Sequence, residues 1–275
     1  MRNIQEAYSH TPFSLHGKVA LVTGGRGLLG REFCIALANA GATVYSADIN
    51  AGEPTEGEKA LGIRCKVMNV TDQESIEHCV GEIIKEADRI DILVNSAAID
   101  PKTDEDVERK GFDRFTSYPI ECWQQSIDVN LTGLFMVTRS VCREMERFGV
   151  GSIINIGSNY GLVGPDQRIY RRKGEEVQEY YKPSVYSVCK AGIIGFTRYL
   201  AAYYAGTKIR ANVLTPAGVL NKQDDDFVQA YAERTVLRRM SRKEEYHGAI
   251  VFLASEASSY MTGANLVIDG GWTTL

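Results

Sequence analysis

The stretch Val19-Ala-Leu-Val-Thr-Gly-Gly-Arg-Gly-Leu-Leu-Gly30 decides the architecture. An apolar, strand-like run ends in a glycine-rich turn, and the turn opens a helical pattern that continues through Ala40. Gly25-x-Gly27-x-x-Gly30 has the spacing of a dinucleotide fingerprint and stands in the strand–turn–helix context that the fingerprint requires. Glycines there permit a tight turn, let backbone N–H groups approach a pyrophosphate, and let the helix pack close to the sheet with its N-terminus toward the anion. Gly24, Gly25, Arg26, Gly27, Leu28, Leu29 and Gly30 are therefore expected to cradle a dinucleotide.

Working outward, the next strand-like run, Thr43–Ala47, is followed by Asp48, 48 − 30 = 18 positions beyond the last glycine of the fingerprint. A carboxylate at that strand end accepts hydrogen bonds from a ribose diol and repels a 2′-phosphate, which favours NAD over NADP. Ile49 adds no compensating positive charge, whereas Arg26 within the loop offers a second reading, a guanidinium that reaches a 2′-phosphate. Further strand-like runs follow at 63–68, 91–95, 152–156, 209–214 and 266–268, each separated by helix-length segments. Most lack polar alternation, as strands buried on both faces should. The alternation predicts an α/β fold, a doubly wound parallel sheet of Rossmann type, in one domain over 17–275. Three segments fall outside the rhythm: an N-terminal arm (1–16), a polar loop at 99–120 and a charged stretch at 163–183.

With 44% hydrophobic residues, the chain has the apolar content for a large core and reads as a globular protein. A net charge of −4 argues against nucleic acid or an anionic membrane as the main partner. No apolar run approaches the roughly 18 residues of a membrane span, and Met1–Thr11 lacks the build of a secretory signal, so a cytoplasmic location is expected. The six cysteines are scattered without a C-x-x-C and the four histidines show no ligand spacing, so buried free thiols and no metal site are expected.

Tyr186-Ser-Val-Cys-Lys190 stands in a helix-like stretch that runs to about Tyr204, and its i, i+4 spacing puts both side chains on one face. In a chain of 14 tyrosines such a pair alone is weak. Its company lifts it: Asn69-Val-Thr-Asp72, Asn95-Ser-Ala-Ala98, Asn130 within Asp128-Val-Asn-Leu-Thr-Gly133, Ser158 after the run Ile153-Ile-Asn-Ile156, Pro216-Ala-Gly-Val219 and Thr262–Gly271. With these motifs in order, residues 13–272 resemble the short-chain dehydrogenase/reductase family in its compact, single-domain branch. The resemblance implies that Asn130, Ser158, Tyr186 and Lys190 are catalytic. It further implies that Asn69, Val70, Asn95, Ala97, Ala98, Pro216 and Val219, together with Tyr186 and Lys190, meet the cofactor, joining Asp48 and Ile49. An NAD(P)-dependent interconversion of a secondary alcohol and a ketone follows.

The chemistry agrees with the groups themselves. A phenol with a reference pKa near ~10 is a poor base at neutral pH, and an adjacent ammonium stabilises its phenolate. Lys190 supplies that ammonium, Ser158 orients the substrate oxygen, and the resemblance implies that Asn130 anchors a water that relays the proton. Asn130 also reads as a structural amide pinning an irregular helix turn, Ser158 as a strand-end hydroxyl, and Cys189 as a buried helix residue.

The sequence departs from the family at Leu28, Ala98 and Ala217, where glycines are usual. The glycine spacing around Leu28 resembles the extended branch of sugar-nucleotide epimerases and dehydratases, so that activity with retained NAD stays open. A non-catalytic cofactor-binding protein on the same fold is the other alternative. The 28 positions from Ser158 to Tyr186 exceed the family's usual spacing, which implies an insertion at 163–183, either a lid or an inert surface loop. Arg168, Arg171 and Arg172 there are candidates to clamp a phosphate or carboxylate. Tyr160–Gln167 and Asp269–Trp272 resemble members tied to bacterial surface-glycan and flagellin-modifying sugar pathways, which favours a sugar or sugar derivative as substrate. The small-residue stretch Ala191-Gly-Ile-Ile-Gly-Phe196 suits helix packing across a two-fold axis, and the resemblance implies a homo-oligomer, a tetramer or dimer.

Overall fold

The computed structural model describes residues 11–100, 114–171, 174–178 and 180–275. All seven apolar runs are strands: β1 (Val19–Thr23), β2 (Thr43–Asp48), β3 (Arg64–Val67), β4 (Ile92–Asn95), β5 (Val150–Ile156), β6 (Lys208–Pro216) and β7 (Asn265–Ile268). They pair in parallel in the order β3-β2-β1-β4-β5-β6-β7. The order reverses between β1 and β4, and a ligand crevice in such a sheet lies outside the carboxyl ends of the strands at that point. β5 and β6 extend beyond the apolar runs, to Val150 and Lys208 because they pair with each other there, and to Pro216 because β6 pairs with β7. β3 is an edge strand with half-exposed residues, and Lys66 on it is paired with Glu82 and Glu86. Charges on an edge discourage further strand pairing.

Helices α1 (Leu28–Asn39), α2 (Glu56–Ala60), α3 (Gln73–Ala87), α4 (Ile120–Ile127), α5 (Leu134–Phe148), α6 (Ser184–Tyr203), α7 (Asp225–Glu233) and α8 (His247–Ala254) follow in chain order. Successive strand residues feed two cores, as the period of two requires. Leu21, Leu93 and Ile153 pack with Ile76 and Ile83 of α3, Val137 and Val141 of α5 and Leu200 of α6. Their neighbours Ala20, Val22, Val94 and Ile154 pack instead with Phe33 and Leu37 of α1 and Ile250 and Leu253 of α8. The fold is the doubly wound, single-domain α/β architecture that the sequence implies. Of the N-terminal arm, residues 1–10 lie outside the described residues, as do 101–113 of the polar loop.

Two polar features sit inside this frame. Asn95 Nδ2 donates to Asn155 Oδ1 at 2.8 Å and to Thr138 Oγ1 at 2.9 Å, and Asn155 Nδ2 donates to Thr197 Oγ1 at 2.9 Å. This buried chain ties β4 and β5 to α5 and α6. Between α4 and α5 the helix widens into a π-helical turn, Asp128–Gly133, a local irregularity that often marks a functional site.

Candidate active site

The turn after β1 is built so that a dinucleotide's phosphates can approach backbone. Gly24 has φ +63°, and a side chain there would meet Ala97 Cα at 2.6 Å. At Gly30 a Cβ would lie 2.1 Å from the Gly24 carbonyl oxygen, so only glycine lets α1 start this close to the loop. Gly27 is the N-cap of α1 and has no side chain to offer, and no acidic residue stands in the first turn. The helix therefore presents its first N–H groups and its positive dipole end to whatever enters. Gly24, Gly27, Leu28, Leu29 and Gly30 line one end of a cleft of about 1100 Å³.

Asp48 ends β2 beside this loop. Its Oδ2 accepts from the Arg26 backbone N–H and its Oδ1 from the Asn50 N–H, both at 3.1 Å, while Ile49 is exposed. Asn69 Oδ1 accepts from the Thr71 N–H at 3.0 Å and hydroxyl at 2.8 Å, and Val70 is buried. The Arg26 guanidinium does not face the cleft; it pairs with Glu58 at 2.8 Å. Gly25, Asp48, Ile49, Asn69, Val70, Asn95 and Ala97 likewise lie outside the cleft lining. For Asn95 the reason is physical: its Nδ2 donates into the buried network under the sheet, so its side chain holds the frame.

At the other end, Ser158 leaves β5 and Tyr186 and Lys190 sit one turn apart on α6, all three lining the cleft with Ala98, Pro216 and Val219. Ser158 is buried and its Oγ lies 3.1 Å from Asn159 Oδ1. Lys190 is buried and its Nζ donates to the Ile156 carbonyl at 2.8 Å. Burial lowers the Lys190 ammonium to about 8, with the Asp100 carboxylate working the other way. Burial and the Asp100 charge raise the Tyr186 phenol above its usual range, against the lowering influence of the nearby Ser158 hydroxyl. Asn130, within the π-helical turn, exchanges two hydrogen bonds with Ile99 at 2.9 Å each, donating from Nδ2 to the carbonyl and accepting the N–H at Oδ1. The Asn130 side chain thus holds the backbone of Ile99 and does not line the cleft.

Of the 163–183 segment, Ile169–Arg171 and Tyr180–Pro183 line the cleft, and 172, 173 and 179 lie outside the described residues. Gln167 grips the Lys182 backbone from both sides, accepting its N–H at 2.8 Å and donating to its carbonyl at 3.0 Å. So held, Lys182 places its ammonium 4.2 Å from the centre of the Tyr186 ring, closer than Lys190 at 5.7 Å, and pairs with Asp100. Tyr160 meets Tyr186 edge-on at 6.5 Å and Trp272 at 6.0 Å, and Tyr231 packs on Trp272 at 4.3 Å. Sequence reasoning missed Asp100, Lys182 and this aromatic wall; the density of tyrosines at 160–186 was the available signal.

The arginine clamp needs correction. Arg168 is 81% exposed at its side chain and bonded to Asp166, two residues away, so the nearer carboxylate has claimed it. Arg171 reaches the cleft, but its guanidinium donates to the Glu175 and Glu176 carbonyls. Arg172 lies outside the described residues. The six cysteines are free, with Cys34, Cys79, Cys142 and Cys189 buried. No helix among the described residues is long and apolar enough to cross a membrane.

A family profile described as enoyl-(acyl carrier protein) reductase matches residues 26–273. D-threitol dehydrogenase of Mycolicibacterium smegmatis is 30% identical, with 99% of each chain covered. The chain belongs to the short-chain dehydrogenase/reductase family. A short-chain dehydrogenase of Leptospira borgpetersenii, solved with bound NAD+, superposes with a TM-score of 0.81 at 32% identity, covering 99% of this chain and 96% of that one. A gluconate 5-dehydrogenase of Burkholderia cenocepacia, in complex with NADP and tartrate, gives 0.81 at 27% identity, covering 98% and 99%. As a short-chain dehydrogenase/reductase, the protein is an NAD(P)-dependent oxidoreductase that interconverts alcohols and ketones. Its residues fit such a cofactor: the uncapped α1 N-terminus and the glycine cradle open into the same cleft as Ser158, Tyr186 and Lys190.

Proposed function

We propose that Tyr186 is the acid–base group, with Ser158 orienting the substrate oxygen and Lys190 supporting the phenolate, in an NAD-preferring dehydrogenase of polyols or sugar derivatives. The observation that carries this reading is the convergence of Ser158, Tyr186 and the buried Lys190 on the same cleft that the glycine cradle lines. When bound, the cofactor supplies hydride exchange at the carbinol carbon. In ketone reduction Tyr186 starts protonated, as its raised pKa favours, and gives its proton to the developing alkoxide. In alcohol oxidation it must first lose that proton, and the Lys190 ammonium stabilises the resulting anion. Ser158 donates to the substrate oxygen, where charge develops. Asn130 acts by holding Ile99, and through it the chain beside Asp100, in place.

Asp48 supports NAD, because its carboxylate is fixed by two N–H groups at the strand end where a ribose diol is read. The names of D-threitol dehydrogenase and gluconate 5-dehydrogenase support a polyhydroxylated substrate. Exposed Phe135 on α5 and Val188, Tyr199 and Tyr203 on α6 support a homo-oligomer, dimer or tetramer, joined through those helices. The test is a panel of four- to six-carbon polyols and keto-sugars with NAD and NADH, followed at the nicotinamide absorbance. Turnover that survives in Tyr186→Phe would remove the assignment.

A further inference from the structure

Arg26 is the one cation inside the glycine loop, and its backbone N–H is bonded to Asp48, so its side chain starts beside the carboxylate that reads the ribose. A guanidinium in that position is the group that would meet a 2′-phosphate. Here it turns away. Nη1 lies 2.8 Å from Glu58 Oε2, and Nη2 lies 3.5 Å from the Glu53 carbonyl.

Glu58 is built to keep it there. Thr55-x-x-Glu58 is a capping box, so the first turn of α2 fixes the carboxylate independently of Arg26. Glu58 Oε2 also accepts from the Thr55 N–H at 2.7 Å and hydroxyl at 2.9 Å, and Oε1 lies 3.0 Å from Arg31 Nε. The Glu58 side chain is 4% exposed and that of Arg26 23%. For Arg26 to reach a phosphate, a buried carboxylate would lose its closest guanidinium partner, and breaking one side of a buried pair is strongly unfavourable. Without Glu58, the same guanidinium would stand next to Asp48, offset its charge and offer a fork to a phosphate.

We propose that Glu58 sets cofactor selectivity by withholding Arg26 from the 2′-phosphate subsite, so that Asp48 alone confronts the ribose. This rests on the NAD reading above and adds a positioning residue outside the cofactor loop.

The test measures binding of NAD and NADP to the full chain by calorimetry, for wild type, Arg26→Ala, Glu58→Gln and the double variant. Arg26→Ala should leave the Kd for NADP within about twofold, since a sequestered guanidinium contributes nothing. Glu58→Gln should tighten NADP about tenfold, the scale of one hydrogen bond to a charged group, while the Kd for NAD stays within about threefold. The double variant should lose the gain, an outcome that a general loosening of α2 would not produce. A folded Glu58→Gln protein without tighter NADP binding overturns the proposal, and so does a wild type whose NADP affinity falls about fivefold or more on Arg26→Ala. If Glu58→Gln does not fold, Glu58→Asp, which shortens the carboxylate's reach, is read in the same way. A wild type that prefers NADP removes the NAD reading alone when Arg26→Ala changes nothing, and removes both when Arg26→Ala abolishes that preference.

Discussion

The loop after β1 and the segment before α6 both border the cleft and both carry cations paired with carboxylates, but the pairs are placed in opposite ways. At the loop, Arg26 and Arg31 converge on the buried Glu58, and the Arg26 side chain is kept off the cleft wall. At the segment, Lys182 and Asp100 pair on the wall itself, against the Tyr186 ring. One region keeps a cation back from the cleft, and the other presents one to it. A salt bridge is therefore informative here only once its burial and the surface it faces are known.

The largest expected effect tests whether the segment is built around Tyr186 at all. Tyr186→Phe keeps the ring that Lys182 covers and removes the transferable proton. Turnover should fall by at least the ~10²-fold typical of lost acid–base catalysis, while NAD still raises Tm. Near-normal turnover would make the wall an ornament to some other site. The pH profile sharpens the same point. Burial holds Lys190 at about 8 and raises Tyr186, so the pair gives up its first proton near pH 8, and the singly deprotonated pair, phenolate beside ammonium, is the form that alcohol oxidation uses. Oxidation should climb through pH 8 and ketone reduction fall, with apparent values that belong to the coupled pair. A flat oxidation profile between about pH 7 and 9 would count against Lys190 as the titrating partner.

Smaller changes separate the two uses of charge. Lys182→Met should raise KM for a polyol about threefold to tenfold, the range of one hydrogen bond, and leave the Kd for NAD unchanged. An unchanged KM would move Lys182 from the presenting group to the silent one. Arg168→Ala should alter neither KM nor the Kd for NAD, because an exposed pair with Asp166 contributes little. A several-fold rise in KM would restore the clamp.

The sequence made the sheet readable because strands covered on both faces are continuous apolar runs, and the glycine loop readable because its backbone tolerates no side chain at Gly24 or Gly30. Tyr186 and Lys190 were readable from helical spacing plus ordered company. Charge partnership was not: Arg26 and Glu58 are 32 positions apart, and Asp100 and Lys182 are 82 apart, so only the fold brings them together. The run at 168–173 shows the opposite error, since its sign was visible while the nearby Asp166 that neutralises Arg168 carried no mark of that role. Asn95 shows a third limit: its place at a strand end was legible, but not that its amide turns into the core.

The amide chain beneath the sheet bears on which substitutions the protein can accept. Asn95, Thr138, Asn155 and Thr197 sit on two strands and two helices, yet each satisfies a group on another. Replacing Asn155 alone by leucine would orphan donors or acceptors on both sides, at roughly 1–3 kcal/mol for each buried group. Replacing the neighbouring amides together by apolar residues of similar volume leaves fewer groups stranded. These four positions should therefore vary as a block or not at all, and a combinatorial library over them should return its folded members in matched sets, with single exchanges depleted.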